Sequence, residues 1–300
     1  MAPSVPAGVC RVTPRRLRLA YSAGMKLPAT EGAVRAQAMI LAAGRGERMR
    51  PLTDHCPKPL LRVHGQPLLV WTMRSLARGG FTTQVVNTGW LGEEIPKFFG
   101  ATPASNAVVV LLNSERIALH FSRELQDFGY ALETLGGISR ALPLLDEVFW
   151  VAAGDVYAPG FDFSRAAHAR FAASGRLAHL WLVPNPPQHP QGDFALDLDA
   201  GAPAGTVAAA LNDARPGGVR HTFSTIALYR RALFEPPWCR IIPGNPQGTA
   251  APLAPLLRAA IAAGQVSAEL WTGDWTDVGT PERLAALEAA APPLAGSNAR

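Results

Sequence analysis

The sequence predicts an α/β protein whose doubly wound, Rossmann-like mixed sheet is flanked by helices. Three observations lead to this expectation. Short apolar runs alternate along the chain with segments of helical length. The first run, residues 38–43, is continuously apolar and ends at Gly44, which is typical of a strand buried on both faces. With 300 residues, of which 48% are hydrophobic, the chain is long enough to bury a large core.

The predicted elements follow one another in the order that such a sheet requires. Strands are predicted, in chain order, at residues 38–43, 84–87, 108–112, 148–153, 179–183, 223–229 and 266–271. Helices are predicted at residues 67–77, 91–99, 164–173, 253–263 and 281–291. A proline-rich turn at residues 184–187 interrupts the alternation. Because no linker marks a second domain, we expect a single domain over residues 38–300 with an embedded lobe at about 184–250.

The positive charge of the chain is confined to its start. Residues 1–37 hold six basic side chains and one acidic one, which accounts for the whole formal charge of +5. The other residues carry 22 basic and 22 acidic side chains, so we expect no nucleic-acid partner. Residues 1–37 contain four prolines and no periodicity. We expect them to be disordered or a mis-assigned start, with translation beginning at Met25; a targeting arm is the alternative.

Composition also limits where the protein works. No apolar run approaches the roughly 18 residues of a membrane span, so no membrane partner is expected. The three cysteines, Cys10, Cys56 and Cys239, lie far apart and have neither metal-ligand spacing nor the density of a disulfide framework. A reducing cytoplasm is therefore the expected location.

The most informative segment is the loop that follows the first predicted strand. Gly44 and Gly46 permit a turn whose backbone N–H groups can face phosphate oxygens. Arg48 and Lys58, the latter between two prolines, add positive charge nearby. The spacing fits neither a dinucleotide fingerprint, because Met49 stands at the third glycine position, nor a P-loop, which needs Gly-Lys-Ser/Thr. Standing alone, the glycine pair would indicate an ordinary turn; together with the cations it indicates a phosphate-binding loop.

A carboxylate stands at the end of another predicted strand. Residues 148–153 are apolar and lead directly to Gly154 and Asp155. In α/β sheets the carboxyl ends of strands border the ligand crevice, so Asp155 is well placed for a cation. Mg²⁺ prefers one or two carboxylates together with phosphate oxygens and water. Asp277 is a second candidate, although either aspartate could instead serve a turn or cap a helix.

Together these segments resemble the sugar-phosphate nucleotidyltransferases. The resemblance is carried, in order, by AMILAAGRGERMRPLT at 38–53, PKPL at 57–60, GQPL at 65–68, NTGWLG at 87–92, LETLGGI at 132–138, GDV at 154–156, GDF at 192–194, TFS at 222–224 and WTDVGTPERL at 275–284. It implies an Mg²⁺-dependent transfer of UMP from UTP to a sugar 1-phosphate, giving a UDP-sugar and pyrophosphate. Within the family, the likeness is to members that use N-acetylmuramate α-1-phosphate in peptidoglycan recycling.

The resemblance also implies roles for individual residues. The implied catalytic residues are Arg48, on the pyrophosphate side, and Lys58, at the α-phosphate and the incoming sugar phosphate. Asp155 and Asp277 are the implied ligands of Mg²⁺. Substrate binding is implied for Glu133 and for Asp193, which lies in the embedded lobe. The residues implied in nucleotide binding are Ala42, Ala43, Gly44, Gly46, Glu124 and Gly136. From the sequence alone, a turn role is favoured for Asp193, and only the resemblance indicates substrate binding. Residues 133–137 are expected to form a turn that approaches the uracil or that opens a helix at Ile138.

Two departures from the family pattern leave other functions open. Leu135 stands where the family has the first of three glycines, and Ala153 stands where it has asparagine. One alternative is guanylyl transfer to mannose 1-phosphate or a related NDP-sugar synthesis. The other is a non-catalytic regulatory subunit, which we would expect to lose the charged residues that this chain retains. A monomer is expected because the chain lacks the β-helix repeat that some relatives append.

Overall fold

The structure is a computed structural model that describes residues 35–112, 115–199 and 201–292. Its strands, in chain order, are β1 (Ala36–Ala42), β2 (Arg62–Val63), β3 (Gln66–Pro67), β4 (Thr83–Thr88), β5 (Ala107–Leu112), β6 (Glu115–Arg123), β7 (Leu145–Ala153), β8 (Val156–Tyr157), β9 (Ala178–Val183), β10 (Phe194–Leu196), β11 (Ala208–Leu211), β12 (Arg220–Arg230), β13 (Val266–Leu270) and β14 (Thr276–Asp277). Its α-helices are α1 (Leu68–Arg78), α2 (Glu94–Phe98), α3 (Glu124–Phe128), α4 (Glu133–Ala141), α5 (Arg165–Ala173), α6 (Ala254–Ala262) and α7 (Pro281–Ala289).

Ten of these strands form one mixed sheet in the order β10-β11-β13-β9-β12-β7-β1-β4-β6-β5. β1 lies inside the sheet and is parallel to both β4 and β7. β4 is also parallel to β6, and β9 to β13, whereas β5 and β12 run antiparallel to their neighbours. The strand pairs β2-β3 and β8-β14 form two separate ribbons. The expectation of a doubly wound, Rossmann-like mixed sheet is confirmed.

Helices cover both faces of the sheet because each central strand is apolar on both sides. Along β1, Ile40 belongs to a core that also contains Leu68 and Met73 of α1. The preceding residue, Met39, belongs to a second core, which also contains Ile138 of α4 and residues of α6. Burying one such side chain contributes about 1.5–3 kcal/mol. The two cores therefore hold β1, and the loop that begins where it ends, in a fixed position.

The predicted strands and helices are present, with small differences at their ends. β1 begins at Ala36, two residues before the expected start, because Ala36 pairs with Leu145 of β7. Strand β1 therefore extends two residues into the segment expected to be the leader, and the domain boundary stays a prediction. The rest of the expected leader, residues 1–34, lies outside the described residues. The lobe expected at about 184–250 contributes β10, β11 and β12 to the main sheet, and its boundaries stay a prediction.

The segment at residues 133–137 is a helix, so the expectation of a turn there is wrong. Helix α4 begins at Glu133. The N–H groups of Leu135 and Gly136 donate to the carbonyl of Ala251 at 2.9 and 3.3 Å. These bonds satisfy donors that a helix start leaves unpaired. A Cβ at Gly136 would lie 2.3 Å from the carbonyl oxygen of Thr249, so glycine is required for this packing.

Candidate active site

The glycine loop follows β1 and turns back at Gly46, whose φ of 66° is left-handed. The left-handed φ favours glycine at this position, and a Cβ there would make tight contacts of 3.1 Å with Lys58 Cβ and Thr53 Cγ2. The Thr53 hydroxyl donates to the Gly46 carbonyl at 2.8 Å. At Gly44, by contrast, a Cβ would meet nothing within 4 Å, and this residue borders a cavity. The loop is thus anchored at Gly46 and open at Gly44.

Lys58 reaches the same cavity from a short 3₁₀ turn. Pro57 before it is extended, and Pro59 lies within the turn, so the backbone on both sides is restricted. The residue is 8% exposed. Its Nζ lies 2.5 Å from Asp155 Oδ2 and 3.8 Å from Asp277 Oδ1. One buried cation therefore interacts with both of the aspartates that the sequence singled out.

The two aspartates come together through the ribbon formed by β8 and β14. In this ribbon Asp277 pairs with Val156, next to Asp155. Arg283 donates to Asp277 Oδ2 at 2.9 Å and leaves Oδ1 on the side of Lys58. Helix α7 is capped by the Thr280 side chain rather than by Asp277. The alternative role of Asp277 as a helix cap is therefore excluded.

Three cavities meet at Asp155. The loop cavity, of about 480 Å³, is lined among others by Gly44, Gly46, Arg48, Lys58 and Asp155. The apolar cavity, of about 740 Å³, extends toward β12 and α6 and is lined among others by Ala43, Glu133, Asp155, Asp193, Phe194 and Leu257. The mouth, of about 360 Å³, is lined among others by Arg48, Asp155, Asp193, Trp275 and Asp277. Arg48, Lys58, Asp155 and Asp277 thus converge on one composite cleft.

Glu124 is fully buried beside this cleft and does not line it. Its Oε1 accepts a hydrogen bond of 2.6 Å from Asn87, and its Oε2 accepts one of 2.8 Å from the N–H of Leu132. Asn87 in turn accepts from the N–H of Ala42 at 2.8 Å. Burial raises the pKa of the Glu124 carboxyl, although the hydrogen bonds from Leu132 and Asn87 oppose the shift. Glu124 thus holds Asn87 against the end of β1.

The remaining residues singled out in the sequence fall into two groups. Ala42 lines the loop cavity, and Ala43, Glu133 and Asp193 line the apolar cavity. Asp193 also accepts from the N–H of Phe223 at 2.8 Å, a bond that holds the segment before β10 on β12. Gly136 does not line these cavities, because it packs against the loop before α6. The geometry therefore offers a direct ligand contact to the first group and a packing role to Gly136.

Sequence reasoning missed three features of the cleft. Asn87 carries no signal of its own in the sequence, yet its amide links β1 to Glu124. Arg45 stacks on Trp90, with its Cζ 3.4 Å from the ring centroid, and the Trp90 indole N–H donates to the Thr53 carbonyl at 2.8 Å. Thr225, which borders two of the cavities, has a φ of 64° that β-branched residues rarely adopt. None of these contacts joins neighbours in sequence, so no local pattern signals them.

The donors that could hold a metal are the carboxylates of Asp155 and Asp277. Both approach the same lysine Nζ, and such oxygen donors suit a hard divalent cation. Within residues 35–112, 115–199 and 201–292 no group of three or more His, Cys, Asp or Glu side chains could hold a metal. A cation at this pair would therefore need oxygen atoms from a bound substrate or water to complete its coordination.

A Rossmann-like sheet, a glycine loop and a cleft with paired cations and carboxylates define an enzyme that handles nucleotides. Residues 38–270 match the family model of the MobA-like NTP transferase domain, and the chain belongs to this family of nucleotidyltransferases.

Individual relatives agree with this assignment. The chain is 41% identical over 257 residues to a protein of Neisseria meningitidis serogroup B named N-acetylmuramate alpha-1-phosphate uridylyltransferase, a match that covers 85% of this chain and 98% of that protein. The fold is similar to UDP-glucose pyrophosphorylase from Acinetobacter baumanii, with a TM-score of 0.58, 14% identity and coverage of 85% and 92%. It is also similar to the inositol-1-phosphate CTP transferase from T. maritima, with a TM-score of 0.54, 17% identity and coverage of 86% and 98%. At these identities the two structures support the fold alone.

Within the described residues, none of the helices is both long and apolar enough to cross a bilayer.

Proposed function

We propose that the protein transfers UMP from UTP to N-acetylmuramate α-1-phosphate, giving the UDP-sugar and pyrophosphate. The observation that carries this proposal is the position of Lys58 Nζ between Asp155 and Asp277, in a cleft bordered by the glycine loop. Backbone N–H donors, cations and paired acids suit a nucleoside triphosphate and a divalent metal. The name of the Neisseria relative supports uridine as the base and N-acetylmuramate as the sugar.

The proposed reaction is an in-line displacement at phosphorus. An oxygen of the sugar phosphate attacks the α-phosphorus of UTP and forms a new P–O bond. The bond from the α-phosphorus to the bridging oxygen breaks, and its electron pair leaves with pyrophosphate. A phosphate monoester has a second pKa near 6, so the attacking oxygen is mostly ionised at neutral pH and needs no general base. The task of the protein is to position the anions and to stabilise their charge.

The charged residues of the loop cavity carry that task. Arg48 lines both the loop cavity and the mouth, so its guanidinium is assigned to the leaving pyrophosphate. Lys58 is assigned to the α-phosphate and the incoming sugar phosphate. Gly44 and Gly46 allow the backbone to approach the phosphates closely. Removing one such stabilising group typically lowers a rate about 10²- to 10³-fold.

Asp155 and Asp277 are the residues that would hold Mg²⁺. Their fit rests on two carboxylates that already share one cation, Lys58 Nζ, at the edge of a cavity. Mg²⁺ characteristically takes one or two carboxylates and fills its other positions with phosphate oxygens and water. When bound, the metal would neutralise charge on the phosphates. The aspartates would act as its ligands, and Asp155 would also keep Lys58 in position.

Two alternatives differ in what they require of the cleft. Guanylyl transfer to mannose 1-phosphate would use the same charged residues with a different base and sugar. A non-catalytic subunit would not need Arg48, Lys58, Asp155 and Asp277 together, and their convergence favours an active enzyme. The proposal also includes a cytoplasmic location and a role in peptidoglycan recycling. We further propose that the protein is a monomer with a single domain over residues 38–300.

The decisive experiment measures pyrophosphate release and nucleotide-sugar formation from purified protein. UTP, CTP, GTP and dTTP are each combined with N-acetylmuramate α-1-phosphate, N-acetylglucosamine 1-phosphate, glucose 1-phosphate and mannose 1-phosphate, with and without Mg²⁺. We expect the highest kcat/KM for UTP with N-acetylmuramate α-1-phosphate and no turnover after chelation with EDTA. Preference for GTP with mannose 1-phosphate would overturn the substrate assignment. Lack of pyrophosphate release from every pair would favour the regulatory subunit.

A further inference from the structure

The apolar cavity contains one cation among the described residues that line it. Most of the wall is hydrocarbon, with Val151, Phe194, Phe223 and Leu257 as its larger contributors. Three carboxylates also border the cavity, those of Glu133, Asp155 and Asp193. The only positively charged side chain in the wall is Arg258 of α6. A ligand group of negative charge would therefore find a single favourable position in this cavity.

Arg258 is held in place without being neutralised. Its Cζ lies 5.3 Å from the centroid of the Phe194 ring, which is a cation–π distance. Within the described part of the chain, no hydrogen bond or ion pair involves its guanidinium, and its backbone carbonyl accepts from Asn212. Arg215 and Arg220, by contrast, have acidic partners, because Arg215 pairs with Asp197 and Arg220 Nη1 lies 3.7 Å from Asp213 Oδ1. The donors of Arg258 are thus available to a ligand.

The proposed sugar substrate brings one group that needs such a partner. N-acetylmuramate is N-acetylglucosamine with a lactyl ether on C3, and the lactyl group ends in a carboxylate. A carboxylate that enters an apolar cavity bordered by acids is costly unless a cation pairs with it. The planar guanidinium can donate two parallel hydrogen bonds to a carboxylate. The methyl groups of the lactyl and acetyl substituents suit the hydrocarbon wall.

We propose that Arg258 determines sugar specificity by binding the lactyl carboxylate of the substrate. This inference rests on the proposed function and concerns the same cleft. The other cations of the cleft are engaged elsewhere. Lys58 lies between Asp155 and Asp277, and Arg48 lines the loop cavity and the mouth rather than the apolar cavity. Arg258 therefore distinguishes sugar phosphates with a carboxylate from those without one.

The test compares two sugars that differ only in the lactyl group. For the wild type, R258Q and R258K, kcat/KM is measured with UTP and either N-acetylmuramate α-1-phosphate or N-acetylglucosamine 1-phosphate. We expect R258Q to lower the ratio of the two values about 10- to 100-fold, as loss of a charge-assisted hydrogen bond does. R258K keeps the positive charge, and we expect it to lower this ratio less than R258Q does. The matched control is R165Q, because Arg165 also stacks on a phenyl ring, that of Phe81, but lines none of the three cavities.

A chemically altered sugar provides a second measurement that needs no variant. The methyl ester of the lactyl carboxylate removes the charge from the substrate itself. With the wild type, we expect kcat/KM for the ester to be lower than that for the free acid by the same factor by which R258Q lowers kcat/KM for the free acid. With R258Q, we expect similar kcat/KM values for the ester and the acid. A ratio within twofold of the wild type for R258Q, or an ester that performs like the acid, would overturn the role of Arg258.

The same data separate this inference from the proposed function. If the wild type transfers UMP to N-acetylglucosamine 1-phosphate but not to N-acetylmuramate α-1-phosphate, uridylyl transfer stands and the inference fails. If the wild type turns over neither sugar with UTP, the proposed function fails first and the inference fails with it.

Discussion

Lys58 Nζ forms an ion pair of 2.5 Å with Asp155, a residue 97 positions further along the chain. The pair joins the turn after the glycine loop to the end of β7. In the proposed reaction, a substrate phosphate at Lys58 would share this ammonium with the carboxylate. Lys58 is therefore positioned before any ligand binds, and its three N–H donors allow it to contact the acid and a phosphate together.

Replacing either cation of the loop cavity should impair chemistry. We expect Lys58→Ala and Arg48→Ala each to lower kcat/KM about 10²- to 10³-fold, because each removes charge stabilisation in the transition state. Steady-state kinetics of pyrophosphate release measures the effect. Arg50→Ala is the matched control, because Arg50 is largely exposed and bonds to Asp54. A loss below tenfold in both variants would contradict the assignment.

Replacing the acids should remove the metal dependence. We expect Asp155→Ala and Asp277→Ala to abolish Mg²⁺-dependent turnover, since each removes one of two carboxylates near Lys58. Activity is measured over a range of Mg²⁺ concentrations, and thermal unfolding without Mg²⁺ checks that the variants fold. Asp274→Ala changes a neighbouring acid that lines none of the three cavities. Turnover close to that of the wild type in Asp155→Ala would show that this residue is not a ligand.

Substitution by alanine should affect stability at Gly137 and nucleotide binding at Gly44. At Gly137 a Cβ would lie 2.5 Å from Glu124 Oε1 and 3.0 Å from Asn87 Nδ2, both in a buried network. We expect Gly137→Ala to cost about 1–3 kcal/mol of stability, as overpacking does. At Gly44 the added methyl meets open space, so Gly44→Ala should keep its Tm and raise KM for UTP. Calorimetric melting and kinetics of both variants test this contrast, which would fail if Gly44→Ala were the less stable of the two.

The stack of Arg45 on Trp90 should order the glycine loop. A cation–π contact of this kind contributes about 0.5–2 kcal/mol. We expect Arg45→Met to raise KM for UTP about 2- to 30-fold with a smaller change in kcat, because the loop must then be ordered on binding. Arg45→Lys keeps the charge without the planar group, so its KM for UTP should lie between those of the wild type and Arg45→Met. Equal KM values for the wild type and Arg45→Met would show that the stack does not contribute to nucleotide binding.

Buried Glu124 should make stability depend on pH. Burial raises its pKa in the folded protein above the ordinary value of 4.5. The folded state then keeps a proton that the unfolded chain releases, so this group's contribution to stability is lost as pH rises from about 4.5 through the folded pKa. Glu124→Gln cannot titrate. We expect the Tm of the wild type relative to that of E124Q to fall over this window, whereas a difference that stays constant with pH would contradict the raised pKa.

Much of the sheet could be predicted because its central strands are continuous apolar runs. β1, β7 and β9 are buried on both faces and carry a strong local signal. β6 was missed because polar residues such as Glu115 and His120 interrupt its apolar pattern. The first residues of helix α4 were expected to form a turn because its two glycines disfavour a helix. Contacts with the segment before α6, distant in sequence, decide its conformation.

The site was predictable only in part for the same reason. The glycine loop and Asp155 follow apolar strands directly, so local pattern suggests where they lie. The pairing of Asp277 with Asp155 came from the resemblance and not from spacing. The bonds of Asn87 and the stack of Trp90 depend on which strands become neighbours, and this information is absent from any short window of sequence.

The ribbon of β8 and β14 has a consequence for the newly made chain. Asp155 is in place once β7 has joined the sheet, but Asp277 reaches it only when Thr276–Asp277 pairs with Val156–Tyr157. During synthesis Asp155 is therefore present before its partner acid. β14 is the last strand of the described residues, so a chain truncated before residue 276 would keep the glycine loop and lack the second of the two proposed metal ligands.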